Sequence, residues 1–236
     1  NFAKAAIDAW MEDGEVDFQN EIIKDPSFIG TKADCVLNTL ISTNNNLFKK
    51  TSQAFTGNRS KFKIKFITYM ETTDVADART PLPDENGIIE IRFNMAQVSN
   101  SNAIDLARII FHETIHAELH RIKLTNNAGP NPLPQAQYNW YIEMWKYYEN
   151  IFEGNQNSTA TASEHNYMAL HQINNIAQGL RQFDQNTHPL ENYKYFAWTG
   201  LEYYGEQNKY ITEAELSALA HLTTIVNTDN HINPCD

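Results

Sequence analysis

The chain has 236 residues, of which 42% are hydrophobic, 20% are charged and 11% are aromatic. This composition is typical of a globular protein that buries a core, and it excludes a disordered chain. The 29 acidic and 18 basic residues give a net charge of −11, which argues against nucleic acid or anionic lipid as the main partner. Because no run of roughly 18 apolar residues occurs, we expect no transmembrane segment.

The first part of the chain predicts helix followed by two short strands. Residues 1–29 have no clean period, and we expect an N-terminal extension of weak helix and loop. Apolar residues recur at helical spacing over 31–54, with a break near 44–46. Apolar residues alternate with lysines over 61–69, and a second strand is predicted over 88–93.

Helices dominate the rest of the chain. The strongest pattern covers 102–124, where Asn102 and Asp105 resemble a capping box. Because neither an internal repeat nor a long linker occurs, we predict a single domain over 1–236. Its expected class is α+β, mostly helical, with a small sheet before the 102–124 helix. Further helices are predicted over 138–152, 163–183, 191–206 and 212–226, with a polar loop over 155–162.

The segment His112-Glu113-Thr114-Ile115-His116 has the pattern of a zinc site. Four helical residues rise about 6 Å, so both imidazoles lean the same way and a zinc ion bound at about 2.0–2.1 Å fits between them. Glu113 lies about 100° around the helix from His112, where it can reach a metal-bound water as a general base. Without a metal, the two histidines would be ordinary surface or core residues of a helix.

A catalytic zinc site needs a third protein ligand, and the sequence leaves several candidates open. His120 lies about 12 Å from His112 along the helix axis, which is too far. The metzincin extension is absent, because Leu119 and Ile122 stand where that pattern has glycine and histidine. His165 is favoured, because a residue in the first turn of the predicted 163–183 helix can project into a cleft. The candidates are Glu143, Glu164, His165, His171 and His188.

With these features the chain resembles the zincin metallopeptidases. Among them it is most similar to SprT-like proteins and to a group of uncharacterised bacterial cell-envelope proteins. The resemblance covers about residues 30–236. It rests on the 88–93 strand with the HExxH helix, on His165-Asn166-Tyr167-Met168-Ala169, and on Ala197-Trp198-Thr199-Gly200-Leu201.

The resemblance implies a zincin fold, with His112, His116 and His165 as Zn²⁺ ligands and Glu113 as the base. It implies a zinc-dependent metallopeptidase that cleaves a peptide or protein by means of a zinc-activated water, without indicating which substrate. By the same resemblance, we expect residues 88–94 to pair with an extended peptide.

Two features of the predicted function are left open by the sequence. Tyr141 and Tyr167 are candidates for stabilising the oxyanion, although in a chain with 11 tyrosines either residue is more often simply packed. The alternative function is a non-catalytic, zinc-containing binding or structural protein of the cell envelope. An open coordination position inside a cleft would favour the enzyme over this alternative.

The two cysteines, Cys35 and Cys235, are predicted to form a disulfide. Cys235 lies in a polar, proline-containing terminal stretch, where a lone thiol would be exposed and reactive; pairing would pin this tail to the early helix. Cysteines at these two places also match the cell-envelope relatives. Such a bond persists in oxidising compartments, and the sequence starts at Asn1 rather than at methionine. We therefore expect an extracytoplasmic protein whose leader has been removed.

Overall fold

The computed structural model describes residues 22–43, 45–56, 60–129, 131–228 and 235. Within these ranges a small mixed sheet precedes a series of helices, which confirms the predicted α+β, mostly helical class. The strands are β1 (Ile23–Lys24), β2 (Lys63–Tyr69), β3 (Ala78–Arg79) and β4 (Ile88–Asn94). The helices are α1 (Lys32–Ser42), α2 (Asn46–Ser52), α3 (Met95–Val98), α4 (Ala103–Leu124), α5 (Gln135–Ile151), α6 (Gln156–His171), α7 (Ile173–Phe183), α8 (Glu191–Trp198), α9 (Glu202–Gln207) and α10 (Glu213–Thr228).

The sheet has the strand order β1-β2-β4-β3. β1, β2 and β4 are parallel, whereas β3 pairs antiparallel with the C-terminal part of β4. The alternation predicted for β2 and β4 is confirmed, because Ile64, Phe66, Ile89 and Ile91 are buried on the core side. β3 forms one edge of this sheet and contacts α4.

The start of the described chain differs from the predicted extension. β1 pairs with β2, and Phe28 is fully buried, with its ring centroid 5.4 Å from that of Phe66 and 5.5 Å from that of Phe93. A two-residue strand is too short to show a period in the sequence. Ile22 and Phe28 therefore belong to the core, while the rest of the predicted extension, residues 1–21, lies outside the described residues.

The central element is α4, whose side chains are buried at every position from 106 to 122. It contacts the sheet and the helices α1, α2, α6 and α7. Its start agrees with the prediction, because the Asn102 side chain accepts a hydrogen bond of 2.9 Å from the Asp105 backbone N–H. A helix surrounded on all sides must satisfy its polar side chains inside the protein, and these side chains build the candidate site.

Several predicted boundaries differ from those observed, and the helix predicted over 163–183 divides into α6 and α7 at Gln172. The 31–54 helix divides into α1 and α2 near the predicted break, and the 191–206 helix divides into α8 and α9 at Gly200, whose φ is +85°. The polar loop predicted over 155–162 is wrong, because α6 begins at Gln156, capped by the Asn155 side chain. Small buried side chains such as Ala160 and Ala162 let this part of α6 pack closely on its neighbours.

The predicted Cys35–Cys235 disulfide is confirmed, with a Cα–Cα distance of 5.7 Å. It ties residue 235 to α1, where the Cys235 sulfur also lies 3.6 Å from Thr39 Oγ1. The disulfide is compatible with the predicted extracytoplasmic location. Across the described ranges, no helix combines the length and the apolar character that crossing a bilayer requires.

Candidate metal centre

Three histidines from two helices meet beneath the edge of the sheet. His112 and His116 lie one turn apart on α4, and His165 reaches them from α6. The Nε2 atom of His112 is 3.0 Å from Nε2 of His165 and 3.2 Å from Nε2 of His116. The three ring centroids are 4.9, 5.0 and 4.9 Å apart in pairs. The rings therefore turn corresponding nitrogens towards one common region.

The geometry of this cluster fits a small divalent metal ion. Three imidazole nitrogens bound at about 2.0–2.1 Å in a tetrahedral arrangement lie roughly 3.3 Å from one another, close to the separations seen here. His112, His116 and His165 each offer one ligand atom, and all three atoms lie within 4.8 Å of one another. Within the described residues no fourth side chain of a ligating type joins this group, so the donor set suits a three-ligand site with an open position.

The surroundings of His112 and His165 favour the neutral form of each imidazole, in which one ring nitrogen keeps a free lone pair. Burial lowers the pKa of His112 well below its ordinary value, and the neighbouring His116 and His165 lower it further. Burial and the proximity of His116 lower the pKa of His165 to about 3. Both rings are therefore neutral near pH 7, which is the form that binds metals.

His116 differs because its other nitrogen faces a carboxylate. Burial by itself would lower the pKa of His116, but the hydrogen bond to Glu164 raises it. His116 Nδ1 lies 2.6 Å from Glu164 Oε2. Because a carboxylate can only accept, Nδ1 carries the ring proton and donates a hydrogen bond to Oε2. In the neutral ring this leaves a lone pair on Nε2, the atom nearest His112.

Glu113 lies beside the histidine cluster and is held by the edge of the sheet. Thr80 Oγ1, just after β3, donates a hydrogen bond of 2.7 Å to Glu113 Oε2. Burial raises the pKa of Glu113, while His116 and the Thr80 hydroxyl act in the opposite direction. Among the described residues Oε1 has no hydrogen-bond partner, so one oxygen of this carboxylate is uncommitted.

The histidines and Glu113 face a common cleft of about 350 Å³. One wall is the segment 76–81, which contains β3, and another is the part of α4 from Arg108 to His116. α6 contributes Asn157 and Thr161 to the opposite side, and Gly200 lies at the end near His112. The position of Gly200 places part of the Ala197–Leu201 block, noted in the sequence, beside the histidine cluster.

The structure brings together His112, His116, His165 and Glu113, and it leaves the other candidate ligands outside the cluster. Glu143 is exposed on α5. His171 packs against the rings of Trp140 and Tyr167, at centroid distances of 5.7 and 4.8 Å. His188 lies near Tyr193, with a centroid distance of 6.3 Å. Glu164 is close, but it lies behind His116 and not among the converging nitrogens.

The expected pairing of a peptide with residues 88–94 is wrong for the C-terminal part of β4, whereas the packed interpretation of Tyr141 and Tyr167 agrees with their contacts. β4 cannot receive a peptide at Arg92 and Phe93, because β2 pairs with one side of the strand there and β3 with the other. The edge that lines the cleft is β3. Neither tyrosine is available to an oxyanion, since Tyr141 donates to Glu164 Oε1 at 2.9 Å and Tyr167 donates to Gln137 Oε1 at 3.0 Å.

Sequence reasoning also missed residues that support the site. Thr80, Asp77 and Arg108 all line the cleft, and Arg108 Nη2 donates to Asp77 Oδ2 at 2.9 Å, which ties α4 to the segment before β3. Only its spacing, one helical turn before His112, could have indicated from the sequence that Arg108 lies on the same face as the site. Nothing local in the sequence marks Thr80 or Asp77.

Comparison of the chain with protein-family models, with curated proteins and with solved structures gives no match.

Proposed function

We propose that this protein is a zinc-dependent metallopeptidase, in which His112, His116 and His165 hold the ion and Glu113 is the general base. The observation that carries the proposal is the convergence of His165, from a separate helix, on the HExxH pair, with Glu113 facing the same cleft. The donor set of three histidines is one that catalytic zinc sites use, and it leaves a coordination position for water.

Each protein group has a role that follows from its contacts. A zinc ion bound to the three nitrogens would supply a water with a pKa near 7 and would polarise the scissile carbonyl. Glu113 takes up a proton at Oε1, the oxygen that Thr80 leaves uncommitted, and delivers it to the leaving amine. The Thr80 hydroxyl keeps Oε2 in place during both transfers.

The edge strand suggests how a peptide lies in the cleft. Among the described residues β3 pairs with β4 alone, and the segment 76–81, which contains β3, lines the cleft. An extended peptide added to this edge would bring a backbone carbonyl past Glu113 and the histidines. The edge strand beside the cleft supports a peptide as the substrate class, because an extended backbone can pair with a sheet edge.

The test is the variant Glu113→Gln, which keeps the shape of the side chain but removes its ability to accept a proton. We expect the variant to bind zinc like the parent and to lose hydrolysis by about 100-fold or more. Activity would be measured by mass spectrometry on a mixed library of unstructured peptides, and zinc content by elemental analysis.

Glu143→Gln is the matched control, because Glu143 is an exposed helical glutamate outside the cleft. It should cleave the library like the parent. Parent-like cleavage by Glu113→Gln would refute the base assignment. A parent protein that binds zinc and cleaves nothing in the library would favour the non-catalytic alternative.

A further inference from the structure

One buried carboxylate joins the two main helices of the site without belonging to the cluster of converging nitrogens. Glu164 is 0% exposed and immediately precedes His165 on α6. A carboxylate in such a place costs free energy unless charged or polar groups surround it. The contacts of Glu164 therefore show which groups compensate for the burial of its carboxylate.

Three side chains contact this carboxylate through polar atoms. Oε2 lies 2.6 Å from His116 Nδ1 and 3.2 Å from His120 Nε2, and Oε1 accepts the Tyr141 hydroxyl at 2.9 Å. A carboxylate with these three polar groups around it acts as a hydrogen-bond acceptor.

Among the described residues, Glu164 is the one polar partner of the His120 side chain. His120 is 1% exposed, its Nδ1 has no hydrogen-bond partner among these residues, and its polar contact is with Glu164. On α4 it follows His116 by one turn, as His116 follows His112. The three histidines at this spacing thus divide into two that face the cluster and one that faces the carboxylate behind it.

We propose that Glu164 is a positioning residue that fixes the proton of His116 on Nδ1 and aims its Nε2 lone pair into the cluster, and that His120 and Tyr141 hold Glu164 in place. Rotation of the His116 ring would break the 2.6 Å contact, and a proton on Nε2 would remove both this bond and the lone pair. The adjacent residues Glu164 and His165 then serve one site from two sides. This inference rests on the metal site of the proposed function, although not on peptide hydrolysis.

The first experiment compares Glu164→Gln and Tyr141→Phe with the parent. Zinc affinity would be measured by competition with a chromophoric chelator, and unfolding of the metal-free proteins by circular dichroism. We expect Glu164→Gln to weaken zinc binding by about 10–100-fold, as is usual when a group that orients a ligating histidine is lost. Tyr141→Phe, which removes one bond to Glu164 and none to a histidine, should weaken it by a smaller factor.

The control is Tyr193→Phe. Tyr193 is also 0% exposed, and its hydroxyl donates to the carboxylate of Asp184, away from the site. It should alter thermal unfolding without altering zinc affinity, which separates positioning from a general loss of stability.

The second experiment uses nitrogen-15 NMR of the metal-free proteins to locate the proton on His116. We expect it on Nδ1 in the parent and distributed over both nitrogens in Glu164→Gln. Zinc affinity within about twofold of the parent in both Glu164→Gln and Tyr141→Phe, or a parent His116 protonated on Nε2, would overturn the inference. Absence of peptide hydrolysis with both readouts as expected would count against the proposed function alone.

Discussion

Thr80 connects the edge of the sheet to the glutamate of the HExxH motif through a single hydroxyl. Its Oγ1 is 2.7 Å from Glu113 Oε2 and 3.4 Å from the Glu113 backbone oxygen. Because the contact with Oε2 is shorter and charge-assisted, the Thr80 hydroxyl donates its hydrogen bond to Oε2. A carboxylate fixed at one oxygen presents the other in a defined direction. Thr80 is therefore expected to position Glu113.

Replacing Thr80 with valine keeps the size of the side chain and removes the donor. We expect Thr80→Val to lower kcat by about 10-fold, the equivalent of one charge-assisted hydrogen bond of roughly 1.5 kcal/mol, with little change in KM. Thr80→Ser retains the hydroxyl and should restore most of the activity. Steady-state kinetics on a cleaved library peptide would test this; equal losses in the valine and serine variants would contradict it.

Single residues of the site differ in how far the sequence could predict them. The HExxH spacing alone identified His112, Glu113 and His116, because two imidazoles one helical turn apart must share a face. His165 was favoured for a wrong reason, since it lies well inside α6 and not in the first turn of a helix. Glu164 was considered as a ligand, and only the packing of α6 against α4 places it behind His116.

At the scale of elements, the segment before β3 is held by one aspartate. Asp74 accepts hydrogen bonds from Arg79 at 2.7 and 2.6 Å and from the Tyr69 hydroxyl at 2.8 Å. Its backbone oxygen accepts from Asn94 and Gln97, both at 2.9 Å. These contacts join the ends of β2 and β4 to β3, and so they support the wall of the cleft that carries Thr80.

Asp74→Asn should make stability less dependent on pH. The Arg79 guanidinium, with the backbone of Ala76 and the hydroxyl of Tyr69, holds the pKa of Asp74 well below its ordinary value. A carboxylate with a lowered folded-state pKa stabilises the fold above its unfolded pKa of about 3.9, and this contribution is lost as the pH falls. We therefore expect the variant to melt below the parent at pH 7, with the difference shrinking below about pH 4.

The measurement is the melting temperature of both proteins across pH 3–8. Glu191→Gln serves as the control, because the exposed Glu191–Lys194 pair should contribute little at any pH. A melting difference between Asp74→Asn and the parent that is constant across this range would contradict the account.

Long elements were predictable and short or polar ones were not. The 22 residues of α4 and the alternating β2 carry strong periods, so their existence and type followed from the sequence. β3 has two residues, which is too few for any period, yet it forms the wall of the cleft. The start of α6 was predicted as a loop, because its Asn, Ser and Thr residues favour turns locally, whereas burial of Thr159, Ala160 and Ala162 stabilises a helix.

At the scale of the whole molecule, the disulfide joins positions 200 residues apart. Cys235 is 9% exposed, and Cys35 lies on α1, which packs against α4. The pairing could be predicted because the chain has only two cysteines. The resemblance to zincins and the secreted location stay predictions, since sequence and fold class alone do not decide them.

Breaking this disulfide should destabilise the protein. For a loop of this length the chain-entropy model gives up to about 5 kcal/mol, and measured effects are often smaller. We expect the double variant Cys35→Ser, Cys235→Ser to unfold at lower denaturant concentration than the parent. Alkylation followed by mass measurement should add no label to the denatured, unreduced parent and two labels after reduction; two labels without reduction would contradict the bond.

The most direct test of the metal site is anomalous X-ray diffraction at the zinc absorption edge from crystals of the zinc-treated parent protein. We expect one strong peak among the Nε2 atoms of His112, His116 and His165, at about 2.0–2.1 Å from each. The same measurement on His165→Ala should show this peak much weakened or absent. A protein that takes up no zinc, or a peak that lies elsewhere and leaves the three nitrogens without metal, would contradict the proposed metal site.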